Sequence, residues 1–478
     1  MIERPLWQLG AFELAQRTRS GEVSAVEAVA ASVERVQDLN GHLNAVVDDL
    51  TDQALEEAEA LDAEFTAQGP RGPLHGLPVT IKVNVDQKGR ATTNGVTAFK
   101  DVIAPEDAPL VQLFRKAGAI PIGRTNTPEF SFRATTVNEL HGRTKNPWDD
   151  EISPGGSSGG ASSAVMSGMG VLAHGNDIGG SLRFPAYCTG SATVKPGLGR
   201  VPAYNPSQKA ERGLMAQLMS VQGVIAREVR DVRLGLETLT QYDPHDPWQV
   251  PISFYGPQEQ TQIKVAFTKN MFEFDLSPAV SQALDNAAEA LSAAGYDIVE
   301  IEPPALREVA REANRVLFGE TIELLGGDIE KHGSETIKSI FANYAKTFSP
   351  YSGKDLQLAS AARSAHVRAW TTFLADYPLV LTPFLPSPPF RWNRDEEGME
   401  GVREVLEAAI YSYSMNYLGL PAGNVPAHFD EGSKMPIGVQ IVGRRFREDM
   451  ILDACEAVER QAGIMAHRLF ARDEGDSR

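Results

Sequence analysis

Apolar and polar positions alternate along the chain in two periods, and the switches between them mark its elements. Over residues 11–68 the apolar positions Val26, Val29, Val33 and Val36 recur at helical spacing behind the capping-box pattern Ser24-Ala25-Val26-Glu27. A second helix, acidic and alanine-rich, is predicted over about 52–67. The chain then turns through GPRGPLHGLP into a first strand, Val79 to Val83, whose β-branched run is interrupted by Lys82. A helix over 107–117 and a strand over 119–123 follow. Farther on come a strand from Ile263 to Phe267, a helix opened by Ser277-Pro278 and running to about Ala294, and a strand from Tyr296 to Ile301. Helix dominates 306–375. Strands at 380–385 and 437–442 and helices at about 402–415 and 448–461 complete the pattern. Strands alternating with helices in this way predict an α/β fold, and no low-complexity linker divides it, so one large domain is expected.

One stretch resists this pattern. Residues 153–185, SPGGSSGGASSAVMSGMGVLAHGNDIGGSLRFP, are dominated by serine and glycine. A flexible linker has that composition but no apolar periodicity, whereas here Ala161 to Met169 reads as a small-residue helix and Val171 to Ala173 as a buried strand. Glycines let main-chain N–H groups approach a ligand or a developing negative charge, and Asn176-Asp177-Ile178-Gly179-Gly180-Ser181 offers several in succession. The stretch therefore reads as a site.

Composition narrows the partners. The net charge of −18, from 45 basic and 63 acidic residues, opposes phosphate-backbone binding, so nucleic acid is excluded as a main partner. Two cysteines, Cys188 and Cys455, are too few and too far apart for a disulfide framework or a CxxC metal site, and both are expected to be reduced core thiols. The nine histidines show no ligand spacing, so no metal or other cofactor is expected. There is no apolar leader and no run of about 18 apolar residues, which makes a cytoplasmic enzyme without a membrane partner the default. A homodimer is a fair expectation at this size.

Two short motifs fail on context. Gly156-Ser157-Ser158-Gly159-Gly160 fits G-x-S-x-G, but the preceding NPWDDEISPG is polar and proline-broken where a nucleophile elbow needs a buried strand. Gly168-Met169-Gly170-Val171-Leu172-Ala173 resembles a dinucleotide fingerprint, yet it follows a helix and enters a strand, the reverse of the required order. What remains is Lys82 on a strand, Ser157 in GGSSGG and Ser181 in DIGGS. By position alone Lys82 reads more simply as an edge-strand or outward-facing lysine.

Taken together, GLPVTIKVN (76–84), TNTPEFS (125–131), NPW (146–148), SPGGSSGG (153–160), NDIGGSLRFP (176–185) and VKPGLGRVP (194–202) resemble the amidase signature family, as do NYLGLPAGNVP and MPIGVQIVG near the C-terminus. The resemblance implies a central mixed β-sheet covered by helices on both faces. It divides the domain, 1–470, into N-terminal helices (1–70), a signature core (71–202), a variable substrate-pocket region (203–410) and a closing segment (411–470), with a disordered tail at 471–478. It also implies a Ser-cisSer-Lys triad: Ser181 as nucleophile, Ser157 as the serine after a cis peptide, and Lys82 as base. The oxyanion hole would be the backbone N–H groups of Ile178, Gly179, Gly180 and Ser181. Ser158, Asp177 and Arg183 would support the triad, and Ser131 and Phe132 would border the substrate.

The chemistry is consistent with those roles. Serine becomes a nucleophile when a base takes its proton, and lysine is a base only when neutral, so its pKa must lie far below about 10.4. Val79, Ile81 and Val83 would supply the low dielectric, and Ser157 would bond both Lys82 and Ser181 and pass the proton. The expected activity is hydrolysis of small carboxylic amides through a seryl acyl-enzyme. The aromatic residues of the variable region, with Phe132, favour aryl or medium apolar acyl groups, with hydrazides and anilides open to the same machinery. The rival within the family is the glutamine-hydrolysing component of a tRNA-dependent amidotransferase, in which a glutamine is typical where this chain has Phe184. A non-catalytic binding protein on the same fold is the rival of another class.

Overall fold

The computed structural model describes residues 4–259 and 261–476. Its centre is a mixed sheet of eleven strands. In chain order the strands are β1 (Val46–Asp49), β2 (Pro78–Lys82), β3 (Ile120–Thr125), β4 (Val137–Asn138), β5 (Gly142–Arg143), β6 (Leu172–Asp177), β7 (Ala192–Lys195), β8 (Val221–Ala226), β9 (Lys264–Phe267), β10 (Asp297–Glu300), β11 (Leu379–Thr382), β12 (Ala422–Asp430) and β13 (Met435–Gly443). The sheet order is β1-β3-β2-β6-β8-β7-β12-β13-β11-β9-β10, with β4 and β5 forming a separate ribbon. β2 runs parallel to both β3 and β6, and β9 parallel to β10 and β11. The central strands from β6 through β8, β7 and β12 to β13 pair antiparallel. Every residue of β2 is buried, as a strand covered on both faces must be.

Local signals hold where the chain writes them plainly. Ser24 and Glu27 make the expected capping box on the helix Ala25–Leu43, and Ser277 caps the helix Pro278–Ala293. Other elements carry weaker signals. β1 interrupts the helical N-terminal segment, and β7, β8 and β12 arise in segments whose pattern does not predict strands. The helix expected over 402–415 breaks into Gly398–Val402, a π turn Arg403–Glu407, and Ile410–Leu418.

The tail is a clear correction. The final helix spans Met465–Asp476, through most of the segment expected to be disordered, while residues 477 and 478 lie outside the described residues. Leu469 and Phe470 are buried, and an Arg472 guanidinium N–H donates to the Trp148 carbonyl at 2.8 Å, which anchors the helix. Cys188 and Cys455 are free and buried. Among the described residues no helix is long and apolar enough to cross a membrane.

Candidate active site

The parallel trio β3-β2-β6 positions the basic side chain. Lys82 ends β2, between β3 and β6, and is 0% exposed, so the edge-strand reading does not hold. Its Nζ lies 2.7 Å from Ser157 Oγ, 2.8 Å from Asn176 Oδ1 and 3.0 Å from Ser158 Oγ. Burial holds the Lys82 pKa well below its usual range, against the opposing pull of the Asp177 charge. The neighbouring His174 is neutral: burial lowers it to about 3, its Nδ1 accepts from the Lys82 backbone N–H at 3.3 Å, and its Nε2 donates to Gln222 Oε1 at 3.0 Å.

Ser157 is brought to Lys82 by the glycine-rich turn before the helix Gly159–Met166. The Gly156–Ser157 peptide is cis. Gly156 is required by close approach, because a Cβ there would lie 2.4 Å from the Arg133 carbonyl oxygen and 2.6 Å from the Thr135 backbone. Ser158 N–H donates to the Ser181 carbonyl at 3.2 Å, joining the two serine segments through their backbones.

Ser181 follows the end of β6, at the entrance to the helix Arg183–Thr189, and is partly exposed. Its hydroxyl makes no hydrogen bond among the described residues, so the expected Ser157–Ser181 link is not formed in this state. Ser157 Oγ is engaged by Lys82 instead.

The loop before Ser181 is held from beneath by a buried ion pair. Arg183 grips Asp177 with two bonds of 3.1 Å, both side chains 0% exposed, and also donates to Gln440 Oε1, the Ser412 carbonyl and Asn416 Oδ1. Burial would push the Asp177 carboxyl up, but Arg183 outweighs it and holds the pKa at about 2. Asp177 in turn accepts the N–H groups of Gly180 (2.7 Å) and Leu182 (3.1 Å). Gly180 N–H, expected in the oxyanion hole, is therefore committed to this carboxylate. The N–H groups of Ile178, Gly179 and Ser181 have no acceptor among the described residues. The Asp177 carbonyl is held by Asn416 Nδ2 and the Gly179 carbonyl by Ser412 Oγ, which fixes the orientation of this loop.

Aromatic rings gather beside it. A Cβ on Gly179 would lie 2.2 Å from Tyr413 Cε1, so the Tyr413 ring lies directly against the loop. Phe318 has its centroid 6.4 Å from Tyr413 and 5.6 Å from Phe132, and Phe132 also meets Phe341 and Tyr344 at 5.3 and 5.4 Å. Phe130 and Ser131 are both left-handed (φ 55° and 56°), an uncommon conformation for such residues. Arg133 ties the segment to the variable region through a buried bidentate pair with Asp395 (2.6 and 2.9 Å).

Lys82, Ser157, Ser158, Asp177 and Arg183 thus form one connected site with the loop 178–181. Asn176, Asn84, Asn416, Gln440 and Tyr413 belong to it as well, and the sequence reading assigns none of their side chains to it. Asn84 lies two residues beyond Lys82 in the turn that follows β2, closed by the Val85 N–H on the Lys82 carbonyl, so no strand periodicity marks it in the sequence. A cleft of about 740 Å³ lined by Asn286, Phe429, Met465, His467 and Arg468 lies elsewhere and includes none of these residues.

The family model for Amidase matches residues 27–452. The chain belongs to the amidase signature family. The amidase is 48% identical over 467 residues to an indoleacetamide hydrolase from Bradyrhizobium diazoefficiens, covering 98% of this chain and 89% of that protein. It is 45% identical over 384 residues to an indoleacetamide hydrolase from Bradyrhizobium japonicum, covering 80% of this chain and 82% of that protein. Among solved structures, a bacterial aryl acylamidase of the amidase signature family superposes with a TM-score of 0.83 at 25% identity, covering 98% and 99% of the two chains. The amidase is accordingly a hydrolase acting on the C–N bond of small amides, on a single α/β domain.

Proposed function

We propose that this amidase hydrolyses primary amides of aryl-acetic type, with indole-3-acetamide as the first substrate to test, giving the acid and ammonia. The observation that carries this reading is the set of rings, Tyr413, Phe318 and Phe132, packed from Gly179 outward beside Ser181. Aromatic walls of this kind suit a planar aromatic acyl group. The similarity to indoleacetamide hydrolases supports it. Phe184 is buried against Phe384 and Phe390, so that position offers no polar side chain to a glutamine substrate, which favours the aryl reading over a glutamine-hydrolysing amidotransferase component.

In this reading Ser181 Oγ, which makes no hydrogen bond among the described residues, turns toward Ser157 as substrate enters. Its proton passes to Ser157 while the Ser157 proton passes to neutral Lys82, and Oγ bonds to the amide carbon. Negative charge on the carbonyl oxygen is met by the free N–H groups of Ile178, Gly179 and Ser181, held by protein rather than by mobile water. The proton returns through Ser157 to the amide nitrogen, the C–N bond breaks and ammonia leaves. Water then attacks the ester by the same route and releases the acid. Ser158, Asp177 and Arg183 keep the lysine and loop in place. Ser131 and Phe132 border the acyl group.

The test is intact-mass spectrometry of wild type and Ser181→Ala after brief exposure to a panel of amides, alongside ammonia release. An indoleacetyl-sized adduct on wild type alone, with kcat/KM for indole-3-acetamide above that for propionamide and glutamine, is expected. A preference for glutamine would overturn the reading.

A further inference from the structure

We propose that Asn176, itself held by Asn84, is the positioning residue that aims the lone pair of neutral Lys82 at Ser157. The inference rests on the assignment of Lys82 as base. A neutral amine carries two N–H groups and one lone pair, and Lys82 Nζ has three oxygen neighbours. Asn176 Oδ1, at 2.8 Å, can only accept, so it takes one N–H. The Ser158 hydroxyl is directed toward the Asn176 carbonyl at 3.4 Å, so its oxygen accepts the second N–H at 3.0 Å. The lone pair is left to Ser157, whose hydroxyl has no other partner among the described residues.

An amide can present either end, so something must fix this one. Asn176 Nδ2 donates to Asn84 Oδ1 at 3.0 Å, and Asn84 Nδ2 donates to Ser131 Oγ at 2.9 Å. Ser131 sends its own proton to Asn94 Oδ1 at 2.6 Å and lies 2.9 Å from Thr127 Oγ1. The Asn84 backbone carbonyl is held as well, by Asn205 Nδ2 at 3.0 Å, which fixes the stem of this side chain. The direction of each donor is thereby set from Asn94 inward to the lysine. The same row of bonds links the base to the segment Ser131-Phe132 that borders the acyl group.

Replacing Asn176 by the isosteric acid separates positioning from mere packing. Asn176→Asp keeps the accepting oxygen but adds a negative charge beside Nζ, which favours the ammonium. Among the described residues the charged or titratable groups that act on Lys82 are Asp177 and His174, both on β6, and neither is changed by the variant. The measured quantity is the rate of Ser181 phosphonylation by an alkyl fluorophosphonate against pH, which needs no knowledge of the natural substrate. The acid limb is expected to move up by at least one pH unit in Asn176→Asp, with a tenfold or greater loss at pH 7 that recovers toward pH 10. Asn176→Leu, which removes the acceptor, should lose tenfold or more at every pH with no upward shift. Lys82→Met serves as the control: if it keeps the wild-type limb, the base assignment itself fails. If the limb depends on Lys82 but Asn176→Asp leaves it unmoved, or if Asn176→Leu reacts at the wild-type rate, the positioning role of Asn176 is wrong. Should Asn176→Asp not fold, Asn84→Asp carries the same charge one bond farther away and should give a smaller shift of the same sign.

Discussion

Gly179→Ala probes the loop that the reaction depends on. A Cβ built there lies 2.2 Å from Cε1, 2.6 Å from Cδ1 and 2.8 Å from Cζ of Tyr413. Carbon atoms in contact prefer about 3.5–4.0 Å, so the ring or the loop must move by about 1.5 Å. Tyr413 is only partly buried, but it is flanked by Phe318 and by the two principal apolar clusters. The loop is pinned through Asp177, Asn416 and Ser412. Strain therefore divides between ring and loop, and overpacking of this kind costs about 1–3 kcal/mol in stability. A loop shift of even about 1 Å displaces the Gly179 N–H from the developing oxyanion, and such a displacement costs about a hundredfold in rate. Gly179→Ala is expected to lower kcat for an aryl amide about a hundredfold with a smaller effect on KM. Adding Tyr413→Ala removes the obstructing ring, and kcat of the double variant should recover at least tenfold over Gly179→Ala, although KM rises through the lost wall. Steady-state kinetics on the four members of the cycle read this directly. If Gly179→Ala keeps kcat within threefold of wild type, or if removing Tyr413 gives no recovery, the loop and the ring are not arranged as argued.

Three further outcomes follow from the electrostatics. Lys82→Met should abolish turnover yet leave the protein at least as stable at neutral pH. The folded state holds this amine neutral where the unfolded chain protonates it, so thermal denaturation should show a midpoint at or above that of wild type. Asp177 has its pKa depressed to about 2 from 3.8, so its stabilisation of about 2–3 kcal/mol is complete above pH ~4 and is lost as pH falls through about 2. Arg183→Met leaves that carboxylate buried and unpaired, and should cost about 3–5 kcal/mol by urea denaturation at pH 7, with the acid-dependent loss no longer seen in the same window. Lys195, buried with only the Pro196 carbonyl as acceptor among the described residues, titrates at about 7, lowered chiefly by burial and then by Arg183. Lys195→Met should therefore stabilise the protein more at pH 6 than at pH 9, because the wild-type penalty eases as pH rises through 7 toward the unfolded value.

The elements legible in the sequence are those whose signals are local. The capping box at Ser24 and Glu27 needs only one turn of helix, and the buried β2 declares itself by a β-branched run. β7, β8 and β12 are hidden because their pairing comes from strands far away in sequence, and glycines and prolines mask their pattern. The tail misleads for a related reason: ARDEGDSR is polar, but the helix is anchored by Leu469 and Phe470 in an apolar cluster with residues distant in sequence, Phe470 against Trp7, and by Arg472 on the Trp148 carbonyl.

At the candidate site the division is equally physical. The order of the signature motifs is enough to nominate Lys82, Ser157, Ser181 and the glycine loop, since backbone close approach demands glycine whatever surrounds it. It is also enough to require a neutral lysine, because no other state of that side chain is a base. Which partners make it neutral and direct its lone pair is decided only by tertiary structure. Asn176 meets Lys82 and Asn84 through the pairing of β2 with β6, and Asp177 takes the Gly180 N–H because Arg183, Asn416 and Gln440 converge from three elements. A hydrogen bond depends on ångström-scale distance and direction, and for groups apart in sequence those are set by packing alone.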